Sequence, residues 1–196
     1  NCDATKEAQV ATLISDVMKK YGHLDAIVCN AGGSVPDNDI PDALVESFWE
    51  TVRMNILSTF ICAQSAAKVM VEQRCGSIIT LGSIHGTMGT NRNLYTPGHK
   101  RSSIGYFPAK GGVINLTRAM AAELGEYGIT VNCISPGQIP KPKVNPVLLE
   151  NLRKRTPLLR NGVPEDLKGA IALLASPAGA WITGQNLAVD GGWGVW

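Results

Sequence analysis

Tyr106 and Lys110 stand four residues apart in the run Tyr106-Phe107-Pro108-Ala109-Lys110. On a helix that separation puts a phenol and an ammonium on one face. A cation beside a phenol favours the phenolate and lowers a pKa that otherwise sits at about 10, which makes the phenol useful for proton transfer near neutral pH. Ser83 adds a hydroxyl just beyond the strand-like run Ser77-Ile78-Ile79-Thr80-Leu81. Together the three groups suit a site that moves a proton on or off a substrate oxygen and holds that oxygen in place. Tyr and Lys four apart also occur on ordinary solvated helix faces, so the neighbouring elements decide what the pair means. A hydrolytic alternative, Ser83 as nucleophile with His85 as its base, fits poorly. The local order Gly82-Ser83-Ile84-His85-Gly86 is not G-x-S-x-G, and no carboxylate is evident to orient the imidazole. His23, His85 and His99 read as surface or loop residues, and their positions do not suggest a metal.

Apolar residues three and four apart predict an amphipathic helix over 6–21, stopped at Gly22. Residues 25–29 form a short strand, apolar on both faces as in a parallel sheet, and Asn30-Ala31-Gly32 ends it. A long helix from 44 to about 72 is apolar on more than one side and must bury two faces, with the amide of Asn55 interrupting it. A strand over 77–81 precedes Ser83, and a helix over 106–125 carries Tyr106 and Lys110. Pro108 is tolerable in the first turn of that helix, where its missing N–H has no intrahelical partner, although it biases Phe107 away from the α region. A strand over 130–134 leads to Pro136-Gly137, helices follow over 146–156 and 164–174, and a last strand over 187–189 ends at Asp190-Gly191-Gly192. Strands alternating with helices predict an α/β fold around a parallel sheet.

The 196 residues, 44% of them hydrophobic, suit one domain spanning 1–196 with a real core. A net charge of +2 argues against a nucleic-acid partner or a membrane surface. No apolar run approaches the length of a membrane span and no basic-then-apolar leader opens the chain, so a soluble, cytoplasmic protein is expected. The five cysteines are odd in number and unclustered, with Cys29 and Cys133 inside apolar strands, as befits free thiols in a reducing compartment.

In this order, the motifs resemble those of the short-chain dehydrogenase/reductase family over nearly the whole chain. Asn30-Ala31-Gly32 is similar to the family's turn after its fourth strand, and Asn55 falls where its helix-borne catalytic Asn stands. Ser83, Tyr106 and Lys110 complete the family's tetrad, while Pro136-Gly137, Thr183-Gly184-Gln185 and Asp190-Gly191-Gly192 match its C-terminal half. The resemblance implies a doubly wound, Rossmann-type parallel sheet with helices on both faces. It implies that Tyr106 transfers a proton, Lys110 lowers its pKa and holds a ribose, Ser83 orients the substrate oxygen and Asn55 positions a relay water. The implied cofactor is NAD or NADP. It would be contacted by Asp3 at the adenine and by Asn30, Ala31, Gly32, Tyr106, Lys110, Pro136, Gly137 and Ile139. No metal is implied.

The sequence also departs from the family. No G-x-G-x-x-G occurs, so the expectation is an N-terminally truncated fold, either a fragment of a longer polypeptide or a relic without the usual phosphate cradle. An insertion of about ten residues lies within 87–104, as in sugar- and polyol-type members, and its Arg92, His99, Lys100 and Arg101 meet either an acidic or polyhydroxylated substrate or plain solvent. No Thr follows Pro136-Gly137, which leaves a backbone contact at Ile139. The implied reaction interconverts a secondary alcohol and a ketone on a small-molecule substrate, a sugar, polyol or sugar acid. The alternatives are a 3-oxoacyl reductase and a truncated, non-catalytic interaction module. The apolar faces of 44–72 and 106–125 imply a homo-oligomer, a dimer or tetramer.

Overall fold

The computed structural model describes residues 1–96, 101–141 and 143–196; His99 and Lys100 lie outside the described residues. One sheet holds four parallel strands in the order β1 (Ala26–Cys29), β2 (Gly76–Leu81), β3 (Ile129–Pro136) and β4 (Asn186–Val189). In its register Ile78 stands opposite both Ile27 and Val131, and Ile134 opposite Leu187. Parallel pairing requires long crossovers. These are supplied by α2 (Val45–Val52) with α3 (Ser58–Gln73), by α4 (Tyr106–Leu124), and by α5 (Pro146–Arg155) with α6 (Lys168–Leu174); α1 (Glu7–Tyr21) precedes β1.

The alternation of strand side chains divides the core in two. Ile78 and Val131 meet Ala63, Ala66 and Met70 of α3 and Ala121 of α4, while Ile79, Leu81 and Ile134 meet Leu174 of α6 on the opposite face. Ile78, Ile79, Val131 and Ile134 are wholly buried, and burying such side chains contributes about 1.5–3 kcal/mol each. Helices on both faces of a parallel sheet make this the doubly wound α/β fold expected from the sequence. Asn132 of β3 is also buried; its Nδ2 donates to the Ile182 carbonyl at 2.6 Å and its Oδ1 accepts the Gln185 N–H at 3.1 Å. With Thr183 Oγ1 accepting the Val131 N–H at 3.1 Å, this ties Thr183-Gly184-Gln185 to the sheet.

Strand β1, apolar in composition on both faces, pairs only with β2 among the described residues, so it stands at an edge of the sheet and leaves Val28 39% exposed while Cys29 is buried. Several expectations need correction. The helix expected over 44 to about 72 is broken by a π-helical turn, Arg53–Leu57, which carries Asn55. Such a turn fits one extra residue into the helix and re-aims side chains, and it has no signature in composition. The stretch Val45–Gln73 is also long and apolar enough to cross a membrane by length and composition, against the sequence expectation. Its Ala63, Ala66 and Met70 are fully buried beneath the sheet, as in a core helix. The helix expected over 164–174 begins as a 3-10 turn, Pro164–Leu167. Phe107 is helical despite the following proline, because Pro108 falls in the first turn of α4 and removes no intrahelical bond.

Candidate active site

All carboxyl ends of a parallel sheet lie along one edge, the usual place for ligands in such folds. Asn30-Ala31-Gly32 after β1, Ser83 after β2 and Pro136-Gly137 at the end of β3 therefore share one side of the molecule. The N-terminus of α4 joins them: the Lys110 ammonium donates to the Leu81 carbonyl at 2.7 Å, just before Ser83. A short 3-10 turn, Ile84–Gly86, lies directly on the backbone of α4. A Cβ on Gly86 would stand 2.8 Å from the Lys110 carbonyl carbon, so a glycine is needed for that approach. Ser83 Oγ accepts the His85 N–H at 3.1 Å, which fixes the hydroxyl at the head of the turn.

His85 lies in the turn after β2, as a loop residue, but its ring packs inward. Its ring is partly buried, 4.9 Å between centroids from Phe107 and 6.4 Å from Tyr106, and its Nδ1 has no hydrogen-bond partner. Burial lowers its pKa and favours the neutral imidazole. The Ser-x-His order was visible in the sequence, but the side chain's contacts come from α4, some twenty residues later.

The electrostatics reverse one expectation. The Lys110 nitrogen lies 5.6 Å from the centre of the Tyr106 ring, yet the phenol is pushed above its ordinary value by burial, and a hydrogen bond with Ser83 only partly offsets this. Burial also lowers Lys110 from 10.5 to about 8, so the ammonium is itself short of solvation and is spent on a backbone carbonyl. Asn55 is buried in the π turn; its Nδ2 donates to the carbonyls of Gly33 at 2.6 Å and Thr51 at 2.7 Å. Its Oδ1 is buried without a donor. Ser58 Oγ donates to the Ala31 carbonyl at 3.0 Å, so the turn after β1 rests on the helix break.

Not every expected residue meets this cluster. Asp3 is exposed near the start of the chain, accepting from the Thr5 N–H and hydroxyl, bonds that lower its pKa. Ile139 lines a smaller hollow of about 140 Å³ with Gly137, Arg160 and Asp190. A larger cleft of about 750 Å³ opens on the far side of His85 and Phe107 and is lined by these two, the 38–41 loop, Arg101, Ser102 and Ile104.

The lysine shift has a measurable consequence. Between about pH 8 and 10.5 the unfolded Lys110 holds a proton that the folded one has released. Its contribution to stability therefore rises as pH climbs through that window. Urea unfolding should show the protein gaining about 2 kcal/mol relative to Lys110→Met between pH ~7.5 and ~9.5. Comparing the two proteins cancels other titrations, such as that of Cys62, whose thiol sits at about 7 through a hydrogen bond with Cys29. A pH-independent difference would show that Lys110 is not held down by burial.

With sheet and site in place, known proteins bear directly on the chain. The family described as enoyl-(acyl carrier protein) reductase matches residues 1–194. A 3-oxoacyl-[acyl-carrier-protein] reductase of Synechocystis is 35% identical over 185 residues, covering 94% of this chain and 70% of that protein. A short-chain dehydrogenase of Leptospira borgpetersenii, solved with bound NAD+, superposes with a TM-score of 0.88 at 32% identity, over 98% of this chain and 73% of its own. A gluconate 5-dehydrogenase of Burkholderia cenocepacia, solved with NADP and tartrate, gives a TM-score of 0.87 at 29% identity, over 99% and 74%. The fold and its site define a dinucleotide-dependent oxidoreductase. The chain belongs to the short-chain dehydrogenase/reductase family, whose cofactor is NAD or NADP.

Proposed function

We propose that the protein interconverts a secondary alcohol and a ketone on a small polyhydroxylated molecule, a sugar, polyol or sugar acid, within a single domain spanning 1–196. The observation that carries this is the grouping of Ser83, Tyr106 and Lys110 beside a roomy cleft whose lining includes several hydrogen-bonding side chains, with His85 touching both. Tyr106 holds the proton exchanged with the substrate oxygen, and Ser83 shares a hydrogen bond with that phenol and orients the same oxygen. Asn55, with an unpartnered buried Oδ1, accepts from a relay water.

The chain's residues fit the nicotinamide and ribose end of a dinucleotide. Lys110 carries three donors and uses one of them on Leu81, which leaves N–H groups for ribose hydroxyls. Asn30, Ala31, Gly32, Tyr106, Lys110, Pro136, Gly137 and Ile139 would hold that part, and Asp3 the adenine. Bound NAD or NADP supplies the hydride acceptor or donor.

Asn38, Thr87, Thr90 and Ser102 line the cleft and offer hydrogen bonds to hydroxyls, and a solved relative is a gluconate 5-dehydrogenase. A second reading, reduction of a 3-oxoacyl thioester, is favoured by the Synechocystis relative. Nicotinamide absorbance assays with both coenzymes decide between them: turnover of polyols or sugar acids is expected to exceed that of a 3-oxoacyl thioester. The reverse order would establish the second reading, and no turnover of either would support a non-catalytic module. The reading extends to a homo-oligomer. Phe60 and Trp49 lie exposed on the α2–α3 side, and Trp181 is 99% exposed; a folded monomer in sedimentation at micromolar concentration would contradict it. All five cysteines are free, in keeping with a cytoplasmic location.

A further inference from the structure

At the mouth of the large cleft, Asp39 faces two guanidinium groups. Arg92 Nη2 donates to Asp39 Oδ2 at 3.3 Å and Arg101 Nη2 donates to Asp39 Oδ1. All three side chains line the cleft that His85 and Phe107 join to the reacting end. Among the described residues lining that cleft, these three are the charged ones, so two cations share one anion and a positive charge is left over. Arg101 is the anchored member, its side chain only 20% exposed against 73% for Arg92. Each guanidinium presents five N–H donors, and among the described residues each gives a single hydrogen bond, to Asp39. A planar fork with spare donors and surplus charge is matched by a carboxylate, and such charge-assisted pairs are the stronger hydrogen bonds.

We infer that Arg101, with Arg92, binds the carboxylate of a hydroxylated acid whose secondary alcohol or ketone reaches Tyr106 at the other end of the cleft. The inference rests on the oxidoreductase reading and narrows its substrates from sugars, polyols and sugar acids to the acids. Asp39 is then a competitor as well as an anchor. It holds Arg101 in place when no substrate is bound, and its own charge opposes the incoming carboxylate.

This dual role separates recognition from mere structure, because the two partners of the ion pair should have opposite effects. Calorimetric titration of the protein is the test, with D-gluconate as the acid probe and D-glucitol as its neutral counterpart. Gluconate should bind about tenfold or more tightly than glucitol. Arg101→Met should abolish that preference with little change for glucitol, and Asp39→Asn should strengthen gluconate binding severalfold. Asp39 is exposed, so the second variant keeps the test valid should the first fold poorly. Equal binding of the two probes by the unmodified protein, no gluconate binding at all, or weaker gluconate binding in Asp39→Asn would each overturn the inference. Turnover distinguishes it from the reading beneath it. Equal rates on acid and neutral substrates would sink the carboxylate site and leave the redox assignment standing. A gluconate preference in binding without any turnover would do the opposite.

Discussion

Tyr106→Phe should lower kcat/KM on any accepted alcohol or ketone by about 10²–10⁴-fold, the usual contribution of a positioned acid–base group. The substitution deletes one oxygen and leaves the ring that packs at 6.4 Å from His85 and 5.6 Å from the Lys110 nitrogen. Nucleotide affinity, read by NAD(P)H fluorescence, should therefore change little, and so should stability. The phenol is partly buried, and burial raises its pKa. The resting phenol is therefore protonated near neutral pH, the form that can hand a proton to a carbonyl oxygen. Retention of more than roughly a tenth of the activity in Tyr106→Phe would remove Tyr106 from the proton path.

Gly137→Ala should cost about 1–3 kcal/mol, the scale for forcing volume into close-packed structure. A Cβ at this position would stand 2.5 Å from the Asp190 Cα, against backbone that cannot rotate aside as a side chain can. The Gly137 N–H donates to the Val189 carbonyl at 3.0 Å, so the contact joins the ends of β3 and β4. Asp190 in turn accepts the N–H groups of Gly192 and Gly194 at 2.9 Å. Displacing it would loosen the Asp190-Gly191-Gly192 turn and the hollow lined by Ile139 together. Chemical denaturation reads the loss directly. A stability within ~0.5 kcal/mol of the unmodified protein would mean that the two strand ends can part without cost.

The order of helices and parallel strands was legible in the sequence because both periodicities are local and because apolar runs such as Ile78-Ile79 and Val131 must be covered on both faces. The Tyr106–Lys110 pair was legible for the same reason: a four-residue separation on a helix fixes a shared face whatever the rest of the chain does. The π turn at Asn55 was not, since nothing in its composition distinguishes it from an ordinary helical turn; it is stabilised by contacts with Ala31 and Gly33, more than twenty residues earlier. His85 became a neighbour of the site only when α4 packed onto the Ile84–Gly86 turn, and Arg92 and Arg101 became a pair only when both met Asp39, more than fifty residues away. The sign of the Tyr106 shift depended on tertiary structure most of all. A nearby cation lowers a phenol's pKa and burial raises it. Sequence separation reports the cation, whereas burial is the sum of what every other element places around the ring.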